Sequence, residues 1–188
     1  MPHVTIDLPT RAATAADAPA LAALVNSAFR GDSSRAGWTT EADLLDGQRV
    51  DVDGIAEMIA TPGKIILVYE QNRVLQGCVY LERMGEDCYL GMLTIRPTLQ
   101  GSGLGRQLLD AAERRAAAQW SSRSMQMTVI VQRPELIAWY ERRGYHRTGR
   151  RKPFPYGDER FGLPRRPDLE FEVLSKPLPP RGRQTPTA

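Results

Sequence analysis

Hydrophobic residues are concentrated in three runs in the middle of the chain, with short polar segments between them. The runs are Lys64–Tyr69, Val74–Leu81 and Cys88–Arg96, and they are rich in the β-branched and aromatic residues that favour strands. The separating segments, Glu70–Arg73 and Gly85–Asp87, have the length of hairpin turns. Because strands joined this tightly pair antiparallel, the pattern predicts a three-stranded antiparallel meander.

Before the meander, apolar residues recur at the spacing of a helix. A segment with a capping composition, Thr14–Asp17, precedes an alanine-rich run that has apolar residues on one helical face and ends at Gly31. A second helical stretch is predicted from Glu41 to Ile59, with interruptions near its two glycines. A weaker alternation at the N-terminus predicts a strand over Val4–Ala12.

After the meander, helical and extended segments alternate. Apolar spacing predicts a helix from Gly103 to Trp120, and a shorter helix begins at Pro134 and ends before Gly144. The remaining predicted elements are a strand at Met125–Val131, a strand that begins in Tyr145–Arg150, a long loop at Arg151–Pro167 and a last strand at Leu169–Leu174. This order indicates a mixed α/β (α+β) domain and not a series of βαβ units.

Composition narrows the classes of protein to which the chain can belong. Its 188 residues are enough for one domain, 41% of them are hydrophobic, and no apolar run approaches the ~20 residues that a membrane span needs. The first residues lack the features of a signal peptide, so we expect a cytoplasmic protein with no membrane partner. Cys78 and Cys88 lack metal-ligand spacing, so no metal site is predicted.

Positive charge is spread along the chain. The net charge is +3, and arginines are densest from Arg142 to Arg166. A nucleic-acid-binding protein usually presents a concentrated basic stripe, so this distribution predicts an anion-facing surface and no nucleic-acid partner. Residues 176–188 are rich in proline and arginine and are predicted to form a disordered tail after a domain of residues 1–175.

A glycine-rich segment after the third strand carries the clearest functional signal. Leu90–Pro97 has the character of a strand and a turn, and glycines at positions 101, 103 and 105 lead into the next helix. Where side chains are absent, a ligand can approach the main chain closely. The first N–H groups of a helix have no partner within it, and the helix dipole makes them attractive to anions. The segment therefore predicts a diphosphate-binding site.

Three other interpretations of this segment are weaker. A phosphate loop of the nucleotide-triphosphatase kind needs Lys and then Ser or Thr after its last glycine, but Arg106 and Gln107 follow Gly105. A dinucleotide-binding fingerprint needs a third glycine where Arg106 stands, and also a parallel βαβ context. A turn that only caps a helix would need one glycine, whereas this segment has three.

The pattern Gln100-x-x-Gly103-x-Gly105, after a strand of the type Leu93–Pro97, resembles the acetyl-CoA motif of the GNAT superfamily of N-acetyltransferases. Arg11–Asp17 resembles the family's opening, and Ala138–Tyr145 resembles its Tyr-Glu-x-x-Gly-Phe element. Arg133 stands where the family frequently has Asn. The resemblance covers nearly the whole chain before the tail. It implies a single GNAT-like domain with a mostly antiparallel central sheet of six or seven strands and helices on both faces.

The resemblance also implies where an acetyl-CoA donor would bind. In the family, the strand equivalent to Leu93–Ile95 diverges from its neighbour, and its main chain bonds the pantetheine amides, while the glycine loop holds the pyrophosphate. A main-chain N–H of this strand would stabilise the oxyanion. The implied cofactor-binding residues are Leu93, Thr94, Ile95, Gln100, Gly101, Ser102, Gly103, Leu104, Gly105 and Arg106.

The resemblance places Tyr140 at the general-acid position, where its phenol would protonate the departing thiolate. On the residues alone, Tyr140 could instead be an aromatic side chain that packs the short helix onto the sheet. The general base is unassigned, because Tyr89 and Thr128 stand where some members carry Glu. Glu86 and Asp87 lie close by and could act directly or through water.

The predicted activity is acetyl transfer from acetyl-CoA to a primary amine by direct attack in a ternary complex. The acceptor, a small-molecule or peptide amine, would contact the first two helices and the loop Arg151–Pro167. Arginines in that loop could clamp an anionic group of the acceptor or contact a second copy in a homodimer. Two alternatives remain, a non-catalytic acetyl-CoA-binding regulatory module on the same fold, and a nucleotide or nucleic-acid binder that uses the basic loop and the tail.

Overall fold

Nine strands and four α-helices make up the part of the chain that a computed structural model describes, residues 8–179. The strands are β1 (Thr10–Ala12), β2 (Leu45–Asp46), β3 (Lys64–Gln71), β4 (Val74–Met84), β5 (Asp87–Ile95), β6 (Ser124–Ile130), β7 (His146–Pro153), β8 (Leu163–Pro164) and β9 (Glu170–Pro177). The helices are α1 (Ala18–Phe29), α2 (Val52–Ala60), α3 (Leu104–Trp120) and α4 (Pro134–Glu141). The last three residues of the strand predicted at Val4–Ala12 form β1, and residues 4–7 lie outside the described part.

Seven strands form one sheet in the order β1-β3-β4-β5-β6-β9-β7. The meander of β3, β4 and β5 is confirmed, and all neighbours pair antiparallel except β5 and β6. These two strands are parallel and pair only where Asp87–Tyr89 meets Ser124–Gln126. Beyond Tyr89 they diverge, and within residues 8–179 no strand pairs with that edge of β5. The predicted mixed class and mostly antiparallel sheet are confirmed.

Helices cover both faces of the sheet, as predicted. On one face, a buried cluster joins Leu21 of α1 and Ile55 of α2 to Ile66 of β3. On the other face, a second cluster joins Leu108 of α3 to Leu90 of β5 and includes residues of α4. None of the helices in the described part combines the length and apolar character that crossing a membrane requires.

A β-bulge in β5 decides which side chains reach the site. The register of β4 and β5 shifts here, and Met92 has a φ of 49°. Leu90 before the bulge and Leu93 and Ile95 after it all pack on the side of α3 and α4, although a regular strand would turn odd and even positions to opposite faces. The buried Thr94 hydroxyl donates to the Met92 carbonyl at 2.8 Å and helps to hold the bulge.

The second predicted helix is shorter than expected. Of the stretch Glu41–Ile59, only the part within α2 is helical, and residues 41–51 form turns and β2. The Asp51 carboxylate caps α2 by accepting the N–H of Gly54 at 2.7 Å. Gly54 therefore belongs to the first helical turn and does not interrupt the helix.

The long loop predicted at Arg151–Pro167 is partly regular. Its first residues continue β7, and β8 within it pairs with β2. Residues 154–169, which we call the late loop, connect β7 to β9. Lys176 and Pro177 were expected in the tail, but they belong to β9 because Lys176 pairs in register with Met125 and its ammonium contacts Glu113 at 2.7 Å. Residues 180–188 of the predicted tail lie outside the described part.

Candidate active site

A cleft of about 200 Å³ lies beside the unpaired edge of β5, between that strand and α4. It is closed on one side by residues 37–40, which we call the strap, and at one end by residues 101–105, the glycine loop. Of the residues predicted for the site, those that line the cleft are Leu93, Ile95, Gln100, Gly101, Gly103, Gly105, Arg106 and Tyr140. Thr94 is buried in the sheet, and Ser102 and Leu104 are not part of the lining.

The glycine loop presents main-chain donors that have no acceptor. Gly103 has a φ of 88° and precedes the first turn of α3, and a side chain at Gly103 would project into open space. The first helical hydrogen bond runs from the N–H of Gln107 to the carbonyl of Gly103. In the described part of the chain, the N–H groups from Gly101 to Arg106 have no hydrogen-bond partner. This end of the cleft can therefore accept an anion without breaking an internal bond.

Two arginines add positive charge at the same end. The Arg143 guanidinium lies over the Trp139 ring, 3.5 Å from its centroid, and its buried Nε has no partner among residues 8–179. Arg106 is exposed, and the Asp110 carboxylate is 3.9 Å away. Burial lowers the pKa of Arg143, and repulsion by Arg142 and Arg106 lowers it further. A bound anion would offset that repulsion.

Gln100 holds the strap against the end of β5. Its Oε1 accepts the N–H groups of Trp38 at 2.8 Å and of Thr39 at 3.3 Å. Its Nε2 donates to the Thr39 hydroxyl at 2.8 Å and to the Ile95 carbonyl at 3.1 Å. The motif glutamine thus positions one wall of the cleft through its side chain.

Arg133 holds the strap from the other side, a role that the sequence did not reveal. It is only 5% exposed, and its terminal nitrogens donate to the carbonyls of Trp38 and Thr39, both at 3.2 Å. The Trp38 ring then lies 6.1 Å from that of Trp139. The two indoles form apolar walls of the cleft. A buried arginine whose partners are far away in the sequence gives no local signal.

Tyr140 lies in the cleft with its ring between two other aromatic rings. The ring centroids are 4.9 Å from Trp139 and 5.6 Å from Tyr145. No residue in the described part forms a hydrogen bond with the Tyr140 hydroxyl. Burial raises the pKa of this phenol, and the nearby Tyr89 raises it further. Tyr140 therefore holds its proton at neutral pH and has it available for donation.

The two carboxylates considered as bases are held away from the cleft. Asp87 accepts hydrogen bonds from two β6 side chains, at 2.7 and 3.0 Å, where the strands still pair. Glu86 forms an exposed ion pair with Arg123 at 3.0 Å. Tyr89 and Thr128, which occupy the family's Glu positions, bond each other through their hydroxyls at 3.1 Å across the gap between β5 and β6. Neither position supplies a carboxylate.

Four arginines in and next to the late loop already have carboxylate partners. This weakens the idea that they clamp an acceptor anion, because each would have to leave its present ion pair. The pairs are Arg151 with Glu170, Arg160 with Asp158, Arg165 with Asp46 and Arg166 with Asp168.

The cysteines take no part in the cleft. Cys78 and Cys88 are buried free thiols on neighbouring strands, as expected of small apolar residues. Burial raises the pKa of each to about 12. An activated thiol requires the opposite shift.

Comparison with known proteins agrees with this fold. The sequence model of a family described as the acetyltransferase (GNAT) domain matches residues 39–154. The match includes both the glycine loop and α4. No curated protein is similar enough in sequence to count as a match.

Solved structures of several N-acetyltransferases share the fold. The ribosomal-protein-alanine N-acetyltransferase from Brucella melitensis is 20% identical, with a TM-score of 0.67 over 91% of this chain and 100% of that chain. The ribosomal-protein-S18-alanine N-acetyltransferase from Escherichia coli is 15% identical, with a TM-score of 0.64 over 94% and 97%. A mutant of the spermidine N-acetyltransferase SpeG from Vibrio cholerae is 17% identical, with a TM-score of 0.63 over 91% and 95%. Since the family match covers more than half of the chain, this protein belongs to the GNAT acetyltransferase family.

Proposed function

We propose that the protein transfers an acetyl group from acetyl-CoA to a primary amine by direct attack in a ternary complex. The observation that carries the proposal is the row of unpaired N–H groups from Gly101 to Arg106, at the end of a cleft that also contains a protonated phenol. The structural relatives are described as acting on a ribosomal-protein alanine and on spermidine, and both acceptors are amines. We therefore take a small-molecule or peptide amine as the acceptor.

The residues present suit acetyl-CoA, which supplies an activated acyl group as a thioester. The glycine loop offers its free N–H groups to the pyrophosphate, and Arg106 and Arg143 add charge. The unpaired edge of β5 at Leu93 and Ile95 offers main-chain groups to the pantetheine amides, as an added strand would use them. The strap and Trp139 line the sides of the cleft.

The chemistry needs an attacking nitrogen without its extra proton, a group that stabilises the oxyanion, and an acid for the leaving sulfur. A main-chain N–H near the bulge at Met92 is suited to the oxyanion, because a bulge leaves main-chain groups outside the ladder. Tyr140 donates its phenolic proton to the departing thiolate. Its raised pKa means that solvent readily restores the proton afterwards.

A pair of conservative variants tests this proposal. Tyr140→Phe removes the acid but keeps the ring, so we expect kcat for a good amine to fall by about 10²-fold or more with little change in the Kd of acetyl-CoA. Tyr145→Phe is the matched control, because its hydroxyl donates to Glu113 at 2.9 Å, outside the cleft. That variant should lower Tm and leave kcat unchanged.

A panel of amines, assayed by release of the CoA thiol, identifies the substrate to use in this comparison. Equal turnover by wild type and Tyr140→Phe would remove Tyr140 from the mechanism. If wild type bound acetyl-CoA but acetylated none of the amines, the non-catalytic regulatory module would become the better assignment.

A further inference from the structure

The proposed reaction requires a group that takes the acceptor's proton, and the face of the sheet toward α1 and α2 offers one on the neighbouring strand. Glu82 of β4 lies directly opposite Tyr89 of β5 in the antiparallel register. Side chains at opposed positions share one face of the sheet. The carboxylate that is missing at Tyr89 is therefore present one strand away.

One carboxylate oxygen of Glu82 is held by a hydrogen bond, and the other is accessible to a ligand or to water. Its Oε2 accepts the Tyr80 hydroxyl at 2.8 Å. Its Oε1 is 3.9 Å from the Lys64 ammonium, which is too long for a hydrogen bond. The side chain is 38% exposed. A ligand or a water molecule can thus reach Oε1 while Oε2 keeps the carboxylate in place.

Two aromatic rings stand beside this carboxylate. Tyr80 and Tyr89 pack edge to face with centroids 6.5 Å apart. Both rings lie over the main chain of Gly91, where an added Cβ would be 3.1 Å from the Tyr89 ring and 3.4 Å from the Tyr80 ring. Gly91 directly precedes the bulge at Met92. Aromatic faces next to a carboxylate suit a cationic amine.

We propose that Glu82 receives the acceptor as an ammonium ion beside Tyr80 and Tyr89 and removes its proton, directly or through one water. This inference rests on the proposed acetyl transfer. The proton of the ammonium moves to the Glu82 carboxylate, and the freed lone pair forms the bond to the thioester carbon. The carbon–sulfur bond then breaks, the sulfur takes the proton of Tyr140, and the nitrogen loses its second proton to water as the amide forms. Glu82 releases its proton to bulk water, which also reprotonates Tyr140.

The titratable groups around Glu82 are compatible with this role. Tyr80 on its own strand donates to it, and Lys64 of β3 is the adjacent cation. Tyr89 faces it from β5, and its hydroxyl is bonded to Thr128. The buried Cys88 thiol belongs to the cluster on the opposite face of the sheet.

Glu82→Gln tests the inference with little structural change, because the amide can still accept the Tyr80 hydroxyl. For an alkylamine that is protonated at the assay pH, we expect kcat/KM to fall by about 10²-fold. For an amine of low basicity, which arrives neutral, the variant should be nearly as active as wild type. The Kd of acetyl-CoA should not change, which also shows that the variant is folded. Glu70→Gln, a carboxylate paired with Arg11 near the edge of the sheet, is the matched control and should behave as wild type.

Each remaining outcome has one meaning. Equal losses for basic and weakly basic amines would assign Glu82 a structural role, and undiminished activity in an active enzyme would remove it altogether. Loss of activity in Glu86→Gln that matches or exceeds the loss in Glu82→Gln would also overturn the assignment. A wild-type protein that acetylates no amine would reject the proposed function itself, a failure that the wild type alone reveals.

Discussion

The glycine loop and the late loop are both irregular, but they are held by different means. The glycine loop is shaped by its own sequence, between the turn at Pro97–Leu99 and the start of α3. The late loop has local ion pairs, but it is also held by residues far away along the chain. Arg165 pairs with Asp46, 119 positions away, and the Arg30 guanidinium donates to the Phe161 carbonyl at 3.4 Å. The shape of the glycine loop depends on adjacent residues, whereas the shape of the late loop also depends on contacts with distant segments.

This difference has a functional consequence. A binding surface made of main-chain N–H groups tolerates changes elsewhere, because distant side chains do not shape it. A surface held by long-range pairs changes whenever one partner changes. The proposed donor site therefore depends little on distant side chains, whereas residues 41–51 and the late loop, which together we call the cover, form the part of the molecule where acceptor choice can vary.

The largest expected effect comes from removing the buried ion pair between Arg30, at the end of α1, and Glu41 in the cover. Arg30 is 4% exposed and forms an ion pair with Glu41. Arg30→Met leaves Glu41 buried without its partner, so the free energy of unfolding should fall by about 3–5 kcal/mol in urea denaturation. The Kd of acetyl-CoA, measured where the variant is folded, should be unchanged.

The double variant Arg30→Met with Glu41→Leu provides the control for that loss. It removes both charges, so it should be more stable than the single variant. If the single and double variants were equally destabilised, the loss would come from packing of the arginine stem and not from the unpaired carboxylate.

The sequence predicted the regions that local patterns determine. Hairpin turns, helical spacing and the glycine loop located β3 to β5, α3 and α4 because each of these depends on neighbouring residues. The pairing of β2 with β8 and the insertion of β9 between β6 and β7 were missed, since both depend on contacts between distant segments. For the same reason, Gln100 was found by its motif, but its hydrogen bonds to the strap were not.

The proposed base, Glu82, was also missed, although its position follows from a local feature of the sequence. The turn at Gly85 and Glu86 sets a register in which Met84 pairs with Asp87, and the same count places Glu82 opposite Tyr89. That register could have been read from the hairpin alone. The Glu positions of the family correspond to Tyr89 on β5 and Thr128 on β6, so the resemblance does not point to β4.

Alanine substitutions at two glycines should have a smaller effect, and they distinguish backbone strain from ligand binding. Gly103 and Gly157 have φ angles of 88° and 87°, and a Cβ at either would meet no atom within 4 Å. Alanine at either position should therefore cost a similar ~1–2 kcal/mol of stability. Only Gly103→Ala places a methyl group in the cleft, so only it should raise the Kd of acetyl-CoA, by about tenfold or more. Equal Kd values in the two variants would mean that the glycine loop does not contact the donor.

The smallest expected effect is a difference in acid sensitivity between the two loops. Hydrogen bonds from Arg165, Arg160 and Arg166 lower the pKa values of Asp46, Asp158 and Asp168 respectively. A carboxylate whose pKa is lower in the folded state stabilises that state above its unfolded pKa of about 3.9, and this contribution disappears as the pH falls through the folded value. No such pair spans residues 101–105, so the glycine loop should be indifferent to this titration.

Amide NMR spectra recorded as the pH falls below about 4 should therefore show late-loop signals weakening before those of residues 101–109. Because these ion pairs are exposed, their individual contributions are small, and about 1 M salt at neutral pH should weaken the same signals by screening. Simultaneous loss of both sets in acid, with no response to salt, would mean that the apolar contacts of Phe154 and Leu169 hold the late loop. The cover would then be a second core, and acceptor choice would depend on its packing and not on its charges.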